Sequence, residues 1–220
     1  TRMVKSVEGR VLFDDLIKQV DGRTQILSIS SVECNSGFRS DLNRIGNFCK
    51  EKGVLFFVDA IQSLGVLPMD VKKDHIDFLS ADGHKWMLSV EGLGGFYISK
   101  EVANKIRPVT MGWGNVVNAA NFMEYDFTLK KDAKKFEEGT LNTIGIHAFG
   151  AALDLLLETG IDNIQKRVMN LGDCIITELN RRDIEIYSST LSEERSGNIS
   201  FALDKDVGSL YSYMLENKVK

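Results

Sequence analysis

Apolar positions along this chain fall into runs whose period changes with position. "GRVLFDDLIKQV", residues 9–20, spaces its apolar residues at helical intervals and predicts a helix. "TQILSISSV", residues 24–32, is a β-rich run closed by polar residues and predicts a strand. In "RSDLNRIGNFCKEKG", Leu42, Ile45, Phe48 and Cys49 form one stripe, and Gly53 stands where a helix would stop. "VLFFVDA", residues 54–60, is apolar almost throughout, the composition of a strand buried on both faces. "HIDFLSA" and "GGFYISK" predict two further short strands. Strand, helix and strand in succession imply an α/β layer fold with a mainly parallel sheet over residues 1 to about 105.

The pattern then changes. Residues 108–143 have no sustained period and are rich in Gly, Asn and aromatics, which predicts a long loop. Loops of that length are usually functional or wrap a partner, and Trp113, Phe122, Tyr125 and Phe127 are the side chains expected to anchor an interface. Residues 144–182 read as two helices meeting near Gly160 and Ile161. "DIEIYSS" and "GNISFAL" predict strands, and "VGSLYSYMLENKVK" begins another helix. The division expected is a large domain over residues 1–160 and the start of a small α+β C-terminal domain over 161–220.

Composition narrows the function. With 27 basic and 31 acidic residues the formal charge is −4, and no basic stripe follows a nucleic-acid backbone. No run approaches the ~18 apolar residues of a membrane span, and the opening segment lacks a signal peptide's apolar region, so a cytoplasmic protein is expected. Cys34, Cys49 and Cys174 are an odd number without CxxC spacing, which argues against disulfides and zinc and predicts buried, reduced thiols.

The chemistry gathers at strand ends. Ligands of open α/β sheets bind outside the carboxyl ends of the strands, where Asp59 and "DGHK" fall. Asp59 follows five apolar residues, so its carboxylate needs a cationic or proton-donating partner. A desolvated lysine amine at the next strand end, Lys85, is the nucleophile of Schiff-base chemistry, and a buried carboxylate keeps a pyridinium protonated. Together they imply pyridoxal phosphate. "GLGG" precedes a strand rather than opening a helix, which rules out a dinucleotide fingerprint.

"VDAIQSLG", "DFLSADGHKW", "EGLGGFYIS" and "KFEEGTLNT", in that order, resemble the class V aminotransferase family of fold type I pyridoxal-phosphate enzymes, which includes cysteine desulfurases, selenocysteine lyases and kynureninases. The resemblance implies a partial three-layer large domain and an enzyme that acts on an amino acid. It also implies that Lys85 forms the Schiff base and moves the α-proton, that Asp59 pairs with the pyridine nitrogen, and that Gln62 bonds the phenolic oxygen. His84 would reach the phosphate or its surroundings. Gly139 and Thr140 would donate to the phosphate of a neighbouring subunit's cofactor, which implies a homodimer with shared sites. Asp82 departs from the serine that desulfurases usually carry two residues before the histidine, leaving Ser80 or backbone donors for the phosphate. "SVECNSG" departs as well, and either Glu33 or Asn35 takes the ring-facing place. The chain is about half the family's usual length, so the alternative expectation is a truncated, non-catalytic α/β scaffold or interaction fragment.

Overall fold

The computed structural model describes residues 1–121, 123–124, 126–204 and 206–219. Four strands, β1 (Ile26–Ser30), β2 (Leu55–Asp59), β3 (Phe78–Asp82) and β4 (Gly94–Ile98), form one sheet in sequence order. β1, β2 and β3 are parallel, while β4 returns antiparallel to β3. Residues 83–93, which join β3 to β4, are too few for a parallel crossover, so a tight return was the only geometry open to them. The sheet is therefore α/β and mostly parallel, as the alternation of elements implies.

Helix α1 (Phe13–Ile17) is only five residues long, well short of the helix expected over residues 9–20. Leu12 stands at its N-cap and supplies no side-chain bond, so its first N–H groups have no cap to hold them. Helix α2 (Leu42–Lys52) has both its signals in place. Asp41 accepts from Arg44 N at 3.0 Å, and Gly53 takes the left-handed conformation at φ 67°. Helix α3 (Lys100–Ala103) follows β4, and a 3-10 turn over Ala133–Phe136 interrupts the long loop. Helices α4 (Thr143–Thr159) and α5 (Ile161–Arg181) meet at Gly160 with a bend of 78°. Among the described residues no single helix is long and apolar enough to cross a membrane.

The strand expectation fails for residues 183–189 and 197–203. They form a single antiparallel bridge, Ile186 to Phe201, before α6 (Val207–Glu216). Tyr187 N and Ser188 N both donate to Ser200 O, which breaks the ladder's alternation, and the serines there bond to another part of the chain.

Phe56 and Val58 are fully buried at the centre of the main core, with Leu27, Ile29, Leu79 and Ala81 from the same face of the sheet. Leu16, Ile45 and Cys49 join them from α1 and α2, as do Leu156 of α4 and Ile161 and Ile164 of α5. A second cluster sets Phe78 and Ile98 against Val102, Ala103 and Phe136. Burying these aliphatic and aromatic groups, at roughly 1.5–3 kcal/mol per side chain, is what fixes the strand ends in space. The outer edges of β1 and β4 carry no strand partner among the described residues.

Candidate active site

The parallel register sets Ser30 and Asp59, the last residues of β1 and β2, side by side with Ser80 in the middle of β3. Asp59 is half-buried, and one carboxylate oxygen accepts from Ile61 N at 3.0 Å. Its backbone carbonyl accepts from Ser31 N at 2.8 Å and from the Ser31 hydroxyl at 3.1 Å. The Ser31 and Ser63 hydroxyls are 2.6 Å apart, both buried, and Ser63 also reaches Ala60 O. A buried hydroxyl pair thus fastens the backbone on which Asp59 turns.

Glu33, three residues past β1, lies close enough to Asp59 to sense its charge. Burial first, and the Asp59 carboxylate second, push the Glu33 carboxyl above its ordinary value. The end of the sheet thus brings two carboxyl groups together, which favours a cation or a shared proton. Gln62 is half-buried, and its Oε1 accepts from Asn198 Nδ2 at 3.5 Å.

Lys85 follows β3 in a turn that the chain holds firmly. Gly83 N donates to Leu93 O at 2.8 Å, Ser89 N to Gly83 O at 2.9 Å, and Leu88 N to Lys85 O at 3.0 Å. Met87 is buried, and Trp86 packs so closely on Gly197 that a Cβ there would stand 2.5 Å from the indole. Gly65, at φ 104°, leaves room for Trp86 O, which a Cβ would approach to 2.5 Å. Leu88 adopts φ 56°, a costly conformation for a bulky side chain, three residues beyond the lysine. Lys85 itself is half-buried and has no carboxylate within ion-pair distance among the described residues. His84 and Asp82 are exposed, and Asp82 sits opposite Gly94 across the antiparallel pair.

The structure therefore sets Asp59 beside Ser80 on adjacent strands, Gln62 three residues past β2, and His84 and Lys85 in the turn that follows β3. Gly139 and Thr140 fall between the 3-10 turn and α4, and among the described residues neither hydrogen-bonds to these side chains. Of the expected interface aromatics, Trp113 and Phe127 are exposed, and Phe122 and Tyr125 fall outside the described residues. The thiol expectation needs correction. All three cysteines are free, but only Cys49 is buried, with its thiol pushed up to about 11 by burial and then by the charge of Asp77. Among the described residues no cluster of His, Cys, Asp and Glu could hold a metal ion.

Sequence reasoning missed Ser31, Ser63 and Asn198. The alternation of Ser196, Asn198 and Ser200 in "SGNIS" was the available signal, since it puts three polar groups on one side of an extended segment.

The fold is an α/β domain with polar residues at the carboxyl end of a mostly parallel sheet, the edge where ligands of open α/β sheets bind. The family model described as Aminotransferase class-V matches residues 1–218, and the chain belongs to that family. A protein of Methanothermobacter thermautotrophicus described as a probable cysteine desulfurase is 33% identical over 188 residues, which are 84% of this chain and 46% of that one. The apo structure of a cysteine desulfurase from Thermococcus onnurineus superposes with a TM-score of 0.87 at 23% identity, covering 99% of this chain and 54% of its own. A C-DES mutant with glycine covalently linked to its pyridoxal-phosphate cofactor gives 0.84 at 21% identity, covering 94% and 55%. The chain spans about half the length of the curated relatives it matches.

Proposed function

We propose that this chain carries the lysine-bearing part of a pyridoxal-phosphate enzyme, of aminotransferase or cysteine desulfurase-like type, acting on an amino acid. The observation that carries the reading is the placement of Asp59 and the Lys85 turn at the carboxyl ends of adjacent parallel strands, in a chain of the class V family.

The donor set fits the cofactor. Two carboxyl groups at one strand end, with Glu33 already resisting ionisation, suit a protonated ring nitrogen held against Asp59. The Lys85 amine, half-buried and without a carboxylate partner among the described residues, is placed for covalent attachment and afterwards for moving a proton at the substrate's α-carbon. Gln62 spends its Oε1 on Asn198, which turns its amide N–H groups toward an oxygen acceptor such as the phenolic oxygen. The Ser80 hydroxyl and the His84 imidazole are the phosphate donors within the protomer. When bound, the cofactor supplies an electron sink for the charge left as a bond at the α-carbon breaks.

The same reading makes the protein a homodimer in the cytoplasm. The exposed Trp113 and Phe127, with no hydrogen bond from Gly139 or Thr140 to the strand-end side chains among the described residues, support sites completed across a two-fold axis. The free cysteines support a reducing compartment. Residues 1–160 form the cofactor-binding part and 161–220 the start of the smaller one, a division supported by the 78° bend at Gly160.

Incubation with pyridoxal phosphate, borohydride reduction and peptide mapping test the reading. The expected result is a pyridoxyl group on Lys85 that is absent from Lys85→Ala, and unchanged labelling of that variant would overturn the assignment. The unpaired outer edges of β1 and β4 favour a second reading, a scaffold or interaction fragment without catalysis. Absence of any label at micromolar cofactor would favour it.

A further inference from the structure

Residues 33–39, which carry Glu33 beyond β1, have no regular secondary structure except one bridge residue pair, Val32 to Arg39, at their base. Their carbonyls are nevertheless satisfied in an ordered way by the far end of the chain. The Ser200 hydroxyl donates to Asn35 O, the Ser188 hydroxyl to Ser36 O at 2.5 Å, and the Ser196 hydroxyl to Gly37 O at 2.7 Å. Three consecutive carbonyls thus receive three serine hydroxyls from one segment. Arg39 N adds a bond to Glu194 O at 2.8 Å. The approach is so close that a Cβ on Gly37 would stand 2.2 Å from Asn198 O. From the same segment Asn198 reaches Gln62, three residues past Asp59.

We propose that residues 188–200 are a positioning strap for the active site. Through Ser188, Ser196 and Ser200 the strap sets the backbone that carries Glu33, and through Asn198 it orients the Gln62 amide. The inference rests on the reading of Asp59, Gln62 and Lys85 as cofactor-binding residues. Each of the four strap residues acts through the group it bonds, Asn35 O, Ser36 O, Gly37 O or the Gln62 amide.

The physical case is one of geometry and satisfaction. Ser188 and Ser196 are buried, and a buried carbonyl deprived of its donor bears a desolvation cost that loosens the segment carrying it. A loop bonded only within itself could shift as a unit, whereas one tied to a segment more than 150 residues away, at separations of 152, 159 and 165, moves only if both segments move. Asn198 can only donate to the Gln62 oxygen in this arrangement, so the Gln62 N–H groups are the ones left for a ligand. Because order in the strap and order in the site loop are linked, a ligand that needs the loop in place must in turn protect the strap.

The test uses amide hydrogen exchange and pyridoxal phosphate titration on the whole chain, comparing wild type with Ser196→Ala, Ser200→Ala and Ser200→Thr. Ser200 is only half-buried, so its variants fold even where Ser196→Ala does not, and threonine keeps the hydroxyl. In Ser196→Ala and Ser200→Ala, exchange at the Glu33 and Gly37 amides should quicken about five- to tenfold, the effect of one lost hydrogen bond, while β2 and α2 keep their protection. Cofactor affinity should fall by a similar factor of about five to ten, and Ser200→Thr should restore both readouts. Asn198→Ala should shift the pH at which the bound cofactor's visible band changes, which a merely structural residue would leave in place. Unchanged exchange over residues 33–39 in both alanine variants would overturn the proposal, and so would quickened exchange with wild-type cofactor affinity. If wild type binds no cofactor, the cofactor reading falls, and the exchange data alone then decide whether the strap holds the loop.

Discussion

Residues 33–39 and residues 108–142 are both irregular backbone, and they are held in opposite ways. The shorter segment gives its carbonyls to serines and its N–H groups to carbonyls that include a far part of the chain. The longer one is tied mostly to itself. The fully buried Asn115 accepts from Gly112 N and donates to Thr110 O, Lys130 Nζ reaches Gly114 O at 2.6 Å, and Val117 N donates to Thr128 O. It is anchored to the rest of the fold by the buried Lys135, which donates to Ala103 O and to Ile106 O, and by Phe136, which packs against the cluster of Phe78 and Ile98. Val109, Trp113, Met123 and Phe127 remain exposed on the outside. A loop bonded to distant chain has its geometry set by the fold and can hold a chemical group in place. A loop bonded to itself keeps its shape while leaving an apolar surface for something else to cover.

The sharpest way to break this contrast is to add one methyl group to each loop. Gly37 has φ 69° and no space for a Cβ, so Gly37→Ala should cost about 3 kcal/mol or more, combining backbone strain with overpacking. The nearest atom to a Cβ on Gly139 is Trp113 Nε1 at 3.9 Å, and its φ lies outside the left-handed region, so Gly139→Ala should stay within about 0.5 kcal/mol. Urea midpoints of the two variants measure the difference, and equal midpoints would remove the distinction between the loops.

The next largest effect should come from the longer loop's anchor. Lys135→Met keeps the apolar stem and removes the ammonium that holds one carbonyl at the end of α3 and one just beyond it, so it should cost about 2 kcal/mol. Trypsin should then cut within residues 108–142 faster than in wild type, with residues 33–39 and 187–200 cleaved no sooner. Ser36→Ala should cost somewhat less, about 1–2 kcal/mol, because the buried Ser36 hydroxyl donates to Gly9 O at 2.6 Å and accepts from Phe38 N at 3.2 Å. A thermal or urea midpoint at wild-type level for Ser36→Ala would mean that Gly9 O finds another donor.

How far these features were legible in the sequence differs by region for the same reason. Strands β1 to β3 announced themselves because Leu27, Ile29, Phe56, Val58 and Leu79 had to be apolar to be buried, and Gly53 because a helix end needed a left-handed residue. Asp59 and Lys85 stood out as polar residues where apolar runs stop. The direction of β4 was not legible, because "GGFYI" reads the same in either sense and only the short 83–93 connection fixes it. Helix α1 was overestimated because periodicity is silent about a missing cap at Leu12. The strap was hard to read as a site element because the alternation of Ser196, Asn198 and Ser200 marks only a polar side of an extended segment, while the partners lie more than 150 residues away. The exposure of Cys34 and Cys174 contradicted a composition rule that only Cys49 obeys.

The smallest effect expected is the one that tests the contrast by its sign. Glu33 in the short loop has its carboxyl pushed up, first by burial and then by Asp59, so the folded state holds that proton more tightly than the unfolded chain does. Its contribution to stability is therefore complete below the unfolded glutamate value, about 4.3, and is lost as pH rises through the higher folded value. Asp126 in the long loop is opposite. Its carboxyl is held down by the Thr128 hydroxyl, then by Thr128 N, which donates at 2.9 Å, and by Asn118 Nδ2 at 2.8 Å. Its contribution is present above the unfolded aspartate value, about 3.9, and is lost as pH falls through the lower folded value. Glu33→Gln should therefore gain stability relative to wild type as pH is raised from about 4 toward 7. Asp126→Asn should lose relative stability as pH is raised through the acid range below about 4. Urea midpoints taken across both ranges would show two slopes of opposite sign. Slopes of the same sign would mean that Glu33 is not desolvated beside Asp59, and the two-carboxyl strand end that favours a ring cation would lose its physical basis.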